Sequence, residues 1–246
     1  MFLGTLISAV GSFISTVTSA ISSLASSVGK AICEGASKLV TTIGKIGQIM
    51  FPDMKIFDIL LKVGEFIGKV AEFLGLKKPG EDDAEELGMK AEMSDKKMED
   101  FDTTEEYINH LHNNVQIDKE KMMNLSEEER AAYTAVGSTI YTKGVAEKIG
   151  VGEFSAEMML DAVKLGLTAK EVITLVKELK TAGFETQAEM SNYLHLNTKD
   201  MSSETIGKMQ GILHTVIKES NPNISDEKAA ERVLDMQDTI RGKAQQ

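Results

Sequence analysis

The chain has one cysteine, three prolines and no tryptophan. With Cys33 alone no internal disulfide can form, which fits a protein made in a reducing cytoplasm. Prolines stand only at Pro52, Pro79 and Pro222, so long stretches carry no helix breaker. No glycine-rich phosphate loop, His-Glu-x-x-His motif or cysteine pair is present, and no metal or cofactor is expected. His110 and His112 are two residues apart, so on a helix they point in different directions and cannot share a metal face. His195 and His214 stand alone. The four are read as surface or core-edge residues, and the chain as not an enzyme.

The most informative absence is at the front. Residues 1–29 contain no charged side chain. They also lack a continuous apolar run, because eleven Ser and Thr residues are spread through them. A standard membrane span needs about 20 consecutive apolar residues. No basic segment precedes the apolar pattern, and the pattern runs past any plausible cleavage site, so a secretory signal is not expected.

What these residues do carry is a seven-residue repeat. Leu3, Val10, Val17 and Leu24 form one row, and Ile7, Ile14, Ile21 and Val28 a second. Gly, Ser, Thr and Ala fill the gaps, with Ser12, Ser19 and Ser26 in a third row. The repeat continues beyond Gly29 with a small phase shift, through Ile32, Leu39 and Ile46 and through Ala36, Ile43 and Met50. A period of 3.5 predicts a helix that supercoils against a partner, either residues 54–76 or another copy of the chain. The first 29 residues have poor intrinsic helix propensity, so such a helix depends on packing or lipid. Pro52 ends it. A second helix then reads from Asp53 to Leu76, with an apolar stripe from Ile56 to Leu74 that includes Phe73. Its other face carries Asp58, Lys62, Glu65, Lys69 and Glu72, alternating in sign.

The net charge of −11 is unevenly spread. Residues 1–78 hold eight lysines and five acids, a balance of +3, so the rest carries −14. The acidic part repels nucleic acid. Lys30, Lys38, Lys45, Lys55, Lys62 and Lys69 are candidates for an anionic lipid surface. Between 79 and 106 twelve acids face three lysines, which favours a solvated linker, with a frayed helix between Ala84 and Asp100 as the alternative. Gly64 and Gly68 have the small-xxx-small spacing of close helix packing.

From Thr103 onward the sequence is punctuated by helix starts. Thr103/Glu106, Ser126/Glu129, Thr168/Glu171 and Thr186/Glu189 match the capping box, and Ser155, Ser202 or Ser203, and Ser225 are further caps. Gly150, Gly166 and Gly183 stand at the expected helix ends. Helices are predicted near 103–114, 126–149, 155–165, 168–182, 186–195, 203–220 and 225–241. Core residues include Tyr107, Ile108, Leu111, Val136, Ile140, Met159, Val172, Val176, Leu213 and Leu234. The short turn at Gly166-Leu167 has helix-turn-helix spacing, but the mixed charge of Lys170, Glu171, Lys177 and Glu178 lacks a basic footprint.

The expected fold is all-α: a long-helix hairpin over 1–76, an acidic linker over 77–102 and a soluble acidic helical domain over 103–246. An uncharged Gly/Ser/Ala-rich front followed by an acidic helical part resembles, in composition alone, bacterial pore-forming effectors and phage proteins that cross or coat membranes during injection. The expected function is membrane action by insertion or oligomerisation of the first helix. Its contact rows are Leu3, Ile7, Val10, Ile14, Val17, Ile21, Leu24 and Val28, with Ser12, Ser19 and Ser26 lining a polar lumen. Its partners are a bilayer or other copies, and a protein partner for the C-terminal domain. The alternative is a structural subunit of a virion, phage tail or injection apparatus, using the same helix as an interface.

Overall fold

A computed structural model describes residues 2–184 and 186–242, and the side chains of 9–118, 120–184 and 186–242. Among the described residues every regular element is helical. In chain order the α-helices are α1 (Phe2–Ser23), α2 (Ala25–Val28), α3 (Lys30–Thr42), α4 (Gln48–Met50), α5 (Ile56–Phe73), α6 (Ala84–Met93) and α7 (Thr104–Asn114). They continue with α8 (Lys119–Met123), α9 (Glu127–Ile149), α10 (Ala156–Leu165), α11 (Ala169–Thr181), α12 (Ala188–Leu194), α13 (Ser203–Ser220) and α14 (Asp226–Ile240). A π-helical turn, Ile43–Gly47, joins α3 to α4. The chain divides into two compact units, Met1–Lys148 and Ile149–Gln246.

The first unit is built around α9. Its residues 131–141 are buried without interruption, so it has no solvent face along that stretch. A helix buried all round is normally large and apolar. This one reads Ala-Ala-Tyr-Thr-Ala-Val-Gly-Ser-Thr-Ile-Tyr. Small side chains let neighbouring helices come to backbone distance. A Cβ on Gly137 would fall on the Ala84 carbonyl oxygen, and one on Gly88 on the Tyr133 carbonyl oxygen. Helices α6 and α9 therefore cross in backbone contact. Elsewhere α3 meets α9 at Gly35 and Thr139, α5 meets it at Gly64 against Thr134 and Ser138, and Ile108 of α7 packs at Gly144.

The expected helix from 1 to 50 is not continuous. It breaks at Leu24 and again at Gly29, whose φ is +100°. Helix α3 returns along α1. Ile14 and Gly44, equidistant in sequence from Gly29, meet so closely that a Cβ on Gly44 would overlap the Ile14 side chain. The hairpin is thus α1 against α3 and the π-helical turn, and the corner at Phe51-Pro52-Asp53 is a second reversal leading into α5. Among the described residues, the rows of α1 pack against α3 of the same chain.

The acidic segment expected to be a solvated linker carries α6. Asp83 and Glu86 form a capping box, and Leu87, Met89 and Ala91 are fully buried. Two bonded acids tie it down: Glu85 takes both ends of the Arg130 guanidinium at 2.9–3.2 Å, and Glu92 accepts the Tyr133 hydroxyl at 2.7 Å. In α5 the apolar stripe is buried through Ala71, but Phe73 is 56% exposed because the helix ends there.

In the second unit α13 lies against α11, α12 and α14, and α10 against α12 and α14. Ser155, Thr168, Ser202 and Ser225 cap their helices as their spacing predicts. Thr103 caps α7, and Ser126 and Glu129 bond reciprocally at the start of α9. Leu234 is 62% exposed rather than core; Val233, Met236 and Ile240 take the inward face of α14. Leu196, just past α12, holds a positive φ of 58°. Its N–H bonds the Tyr193 carbonyl and that of Asn197 the Asn192 carbonyl, a helix stop normally occupied by glycine.

Two stability predictions follow from these geometries. Gly137→Ala drives a methyl into a backbone carbonyl, so it should cost at least the roughly 1–3 kcal/mol of ordinary overpacking, read as a lower denaturant midpoint. Leu196→Gly relieves a left-handed cost of about 1–2 kcal/mol, set against about 0.5–1 kcal/mol of glycine entropy. A small rise in thermal midpoint is the expected result.

Candidate functional site

The N-terminal hairpin holds most of the residues singled out by sequence. Val17, Ile21 and Val28 are fully buried and Leu24 nearly so, all within the first unit. Val10 and Ile14 are half-buried. The side chains of Leu3 and Ile7 lie outside the described residues. Ser12, Ser19 and Ser26 are exposed. The two kinds of row therefore face opposite ways, apolar to the core and hydroxyl to solvent.

The outer face is unusual in how its polar groups are satisfied. Thr16 donates to the Ser12 carbonyl at 3.1 Å, Thr18 to the Ile14 carbonyl at 2.8 Å, Ser22 to the Thr18 carbonyl at 2.8 Å and Ser23 to the Ala20 carbonyl at 2.6 Å. Each donor proton returns to the backbone of its own helix one turn back. These four hydroxyls are met within the helix; they are not those of the exposed row Ser12, Ser19 and Ser26. By contrast α3 exposes Lys30, Glu34 and Lys38, and Lys45 follows in the π-helical turn. Lys55, Lys62 and Lys69 are also exposed, so all six candidate lipid-facing lysines lie at the surface.

Packing along α1 is graded. Its residues 9–14 are exposed or half-buried, whereas Val17 and Ile21 are sealed. Val10 and Phe13 wall a cleft of about 360 Å³ whose opposite side is Met54, Ile56 and Phe57. Lys55 and Glu127 stand at its rim, paired at 3.5 Å. Among the described residues, no helix is long and apolar enough to cross a membrane.

Titratable clusters lie elsewhere in the fold. In the first unit Asp82 accepts from Lys90 at 2.6 Å and meets His112 Nδ1 at 2.8 Å, and its own carbonyl accepts the Tyr141 hydroxyl at 2.7 Å. His112 and Lys90 hold the Asp82 carboxyl below its usual range, outweighing the opposing effect of burial. The His112 side chain is 4% exposed and its Nε2 has no partner. The cluster ties the segment before α6 to α6, α7 and α9. In the second unit Asp161, 1% exposed, accepts from Ser191 at 2.7 Å and pairs with His195 Nε2 at 2.8 Å. Serine and histidine both bond the same carboxylate and not each other, so the histidine is not placed to activate the serine. A polar depression of about 560 Å³ beside Lys228 and Arg232 has its arginine already engaged by Glu171 at 3.3 Å. Among the described residues no three His, Cys, Asp or Glu side chains converge as metal ligands. Cys33 is buried, and burial pushes its thiol up from the ordinary value.

Sequence reasoning placed all four histidines at the surface or the core edge, and His112 lies at that edge with its side chain turned inward. It shares a helix face with Ile108 and Leu111, spacing that was readable as inward. Asp161 was also missed, though it interrupts the apolar run Met158-Met159-Leu160-x-Ala162. No protein-family model, curated protein or solved structure matches the chain.

The Asp161 hydrogen bond, chiefly, raises the His195 pKa above its ordinary 6.5. A raised folded-state value means that protonated His195 stabilises the fold fully below the unfolded value. That contribution is lost as pH rises through the folded value. Urea midpoints of the wild type, compared with His195→Asn between about pH 5.5 and about pH 8.5, should show the difference shrinking toward alkaline pH.

Proposed function

We propose that the protein is a latent membrane-active protein that stores an uncharged amphipathic helix against its own core and releases it to insert in a bilayer as an oligomer. The observation that carries this reading is the outer face of α1, free of charge and with the hydroxyl protons of Thr16, Thr18, Ser22 and Ser23 returned to its own backbone. A soluble surface helix gains nothing from such a face. A helix that must leave water gains a great deal, because an unmet polar group in hydrocarbon costs several kcal/mol.

The energetics of transfer are permissive. Burial of Val17, Ile21, Leu24 and Val28 is worth about 1.5–3 kcal/mol each relative to water. Acyl chains restore that term, so moving the row from core to lipid is close to an exchange of like for like. At 1.5 Å per residue the 22 residues of α1 extend about 33 Å, comparable to a hydrocarbon core of about 30 Å. The serine row does not suit contact with lipid tails along a lone span. Several copies would turn Ser12, Ser19 and Ser26 toward a shared water path and their apolar rows toward lipid. Loosening would begin at the N-terminal part of α1, where Val10 and Phe13 stand over a cleft rather than in the core. The six exposed lysines supply attraction to anionic headgroups.

Dye release from anionic liposomes at about pH 7 and about pH 5 tests this, with currents across a planar bilayer recorded beside it. The wild type should release dye. Ser19→Lys, exposed in the folded chain, should keep its circular dichroism and shift the current toward anions. Absence of release at both values overturns the membrane reading. A discrete oligomer formed without lipid would then favour the alternative, an assembly subunit.

A further inference from the structure

Helix α3 starts without local support. Its N-cap is Gly29, no side chain caps it, and its first turn has no acid. Its first residue is Lys30, a cation at the positive end of the helix dipole, partnered only by Glu34 at 3.7 Å. What faces this end comes from far along the chain. The two carboxylate oxygens of Glu99 lie 3.0 and 3.1 Å from where a Cβ on Gly29 would stand.

Glu99 is carried by a 3-10 turn, Met98–Asp100, that is itself anchored. The Lys97 N–H donates to Asp100 at 2.8 Å, and the Met98 sulfur lies 3.7 Å from the Thr104 hydroxyl, which donates its proton to the Glu147 carboxylate. The next residue, Phe101, stacks at 5.4 Å on Tyr107 and 5.2 Å on the His110 ring. Helix α2, just before Gly29, lies against α6. The tip of the α1–α3 hairpin is therefore held by elements outside the hairpin.

We propose that Glu99 is a latch: its carboxylate, set beside Gly29 at the start of α3, holds the hairpin tip against the first unit, and losing that contact opens the hairpin from its tip. Gly29 is the hinge. Its φ of +100° is a conformation that L side chains rarely adopt, and it has no Cβ to hold the carboxylate off. The latch stands on the contact alone. Its use as the trigger for insertion rests on the membrane reading above, and the test is run without lipid so that the two can fail separately.

The protein carries its own reporter. Cys33, its only thiol, lies one turn beyond Gly29 and is 5% exposed. A neutral maleimide labels it only when α3 lifts. Glu99→Gln keeps the size of the side chain and removes its charge. It should speed Cys33 labelling about two- to fivefold, the range given by a surface charge–dipole contact. Glu99→Asp, which retains the charge on a shorter arm, should fall between the two. Amide exchange of residues 131–141 in the same variant separates local opening from general loosening, and it should be unchanged. Cys33 labelling equal to wild type overturns the latch. So does labelling that rises in step with exchange across 131–141.

Discussion

The crossing of α6 and α9 is the contact on which the first unit depends. Two helices can touch backbone to backbone only where neither presents a Cβ, and Gly88 and Gly137 meet that condition from opposite sides. The consequence spreads outward. Because α9 is slim between 131 and 141, α3, α5 and α7 can also pack around it, at Gly35, Gly64 and Gly144. Around that slim stretch the core is closed by fully buried aliphatic and tyrosine side chains, among them Ile32, Ile59, Ile67, Leu76, Tyr107 and Tyr141. That explains how a chain with no tryptophan and 5% aromatic residues encloses a central helix. It also has a cost. The Thr134 and Ser138 hydroxyls are buried without partners beside Gly64, the polar residue of using serine and threonine as small spacers.

Charge does in this fold what apolar bulk does in others. Asp82, Glu85 and Glu92 all belong to a segment that composition alone marks as solvated. Each is bonded to a side chain from another helix: Lys90 and His112, Arg130, and Tyr133 with Lys121. A buried pair is weak evidence for net stability, because desolvation opposes the attraction. Its stronger effect is on specificity. Asp82 has geometry for one arrangement of α6, α7 and the preceding loop, and any slip strands a carboxylate among apolar groups.

How much of this the sequence discloses depends on whether the signal is local. Helix starts were legible where the signal was local: the boxes at Ser126 and Thr168 close and Thr103 caps α7, but α12 starts after Gln187 with no side-chain cap, so the Thr186/Glu189 box is not formed. Ser155, Thr168, Ser202 and Ser225 all bond as their spacing implies. The all-helical class was legible for the same reason. The break at Gly29 was half legible: the repeat slips by one residue between Leu24 and Ile32, and that slip is where the chain turns back. A phase shift in one continuous coil and a reversal into a hairpin leave the same trace, and only the meeting of Ile14 with Gly44 decides between them. The burial of α6 was not legible. Its acids look solvated until Arg130, Tyr133 and His112 arrive from positions 20 or more residues away.

The hairpin brings these lines together. The proposed function asks the heptad row of α1 to serve two environments, and the contacts that seat it on α3 are apolar and unspecific in chemistry. Specificity for the closed state must then come from somewhere other than the row. It comes from shape at Gly44, where a methyl would displace Ile14, and from the hairpin tip at Gly29, beside which the Glu99 carboxylate stands. Both are contacts made by the absence of a side chain. In the proposed release, the inner row exchanges protein for lipid contacts and Thr16, Thr18, Ser22 and Ser23 already return their protons to the backbone, so weak and local fastenings suffice to hold the helix. Under that proposal the fastenings set the difference between the two states, and the large burial term shared by both cancels.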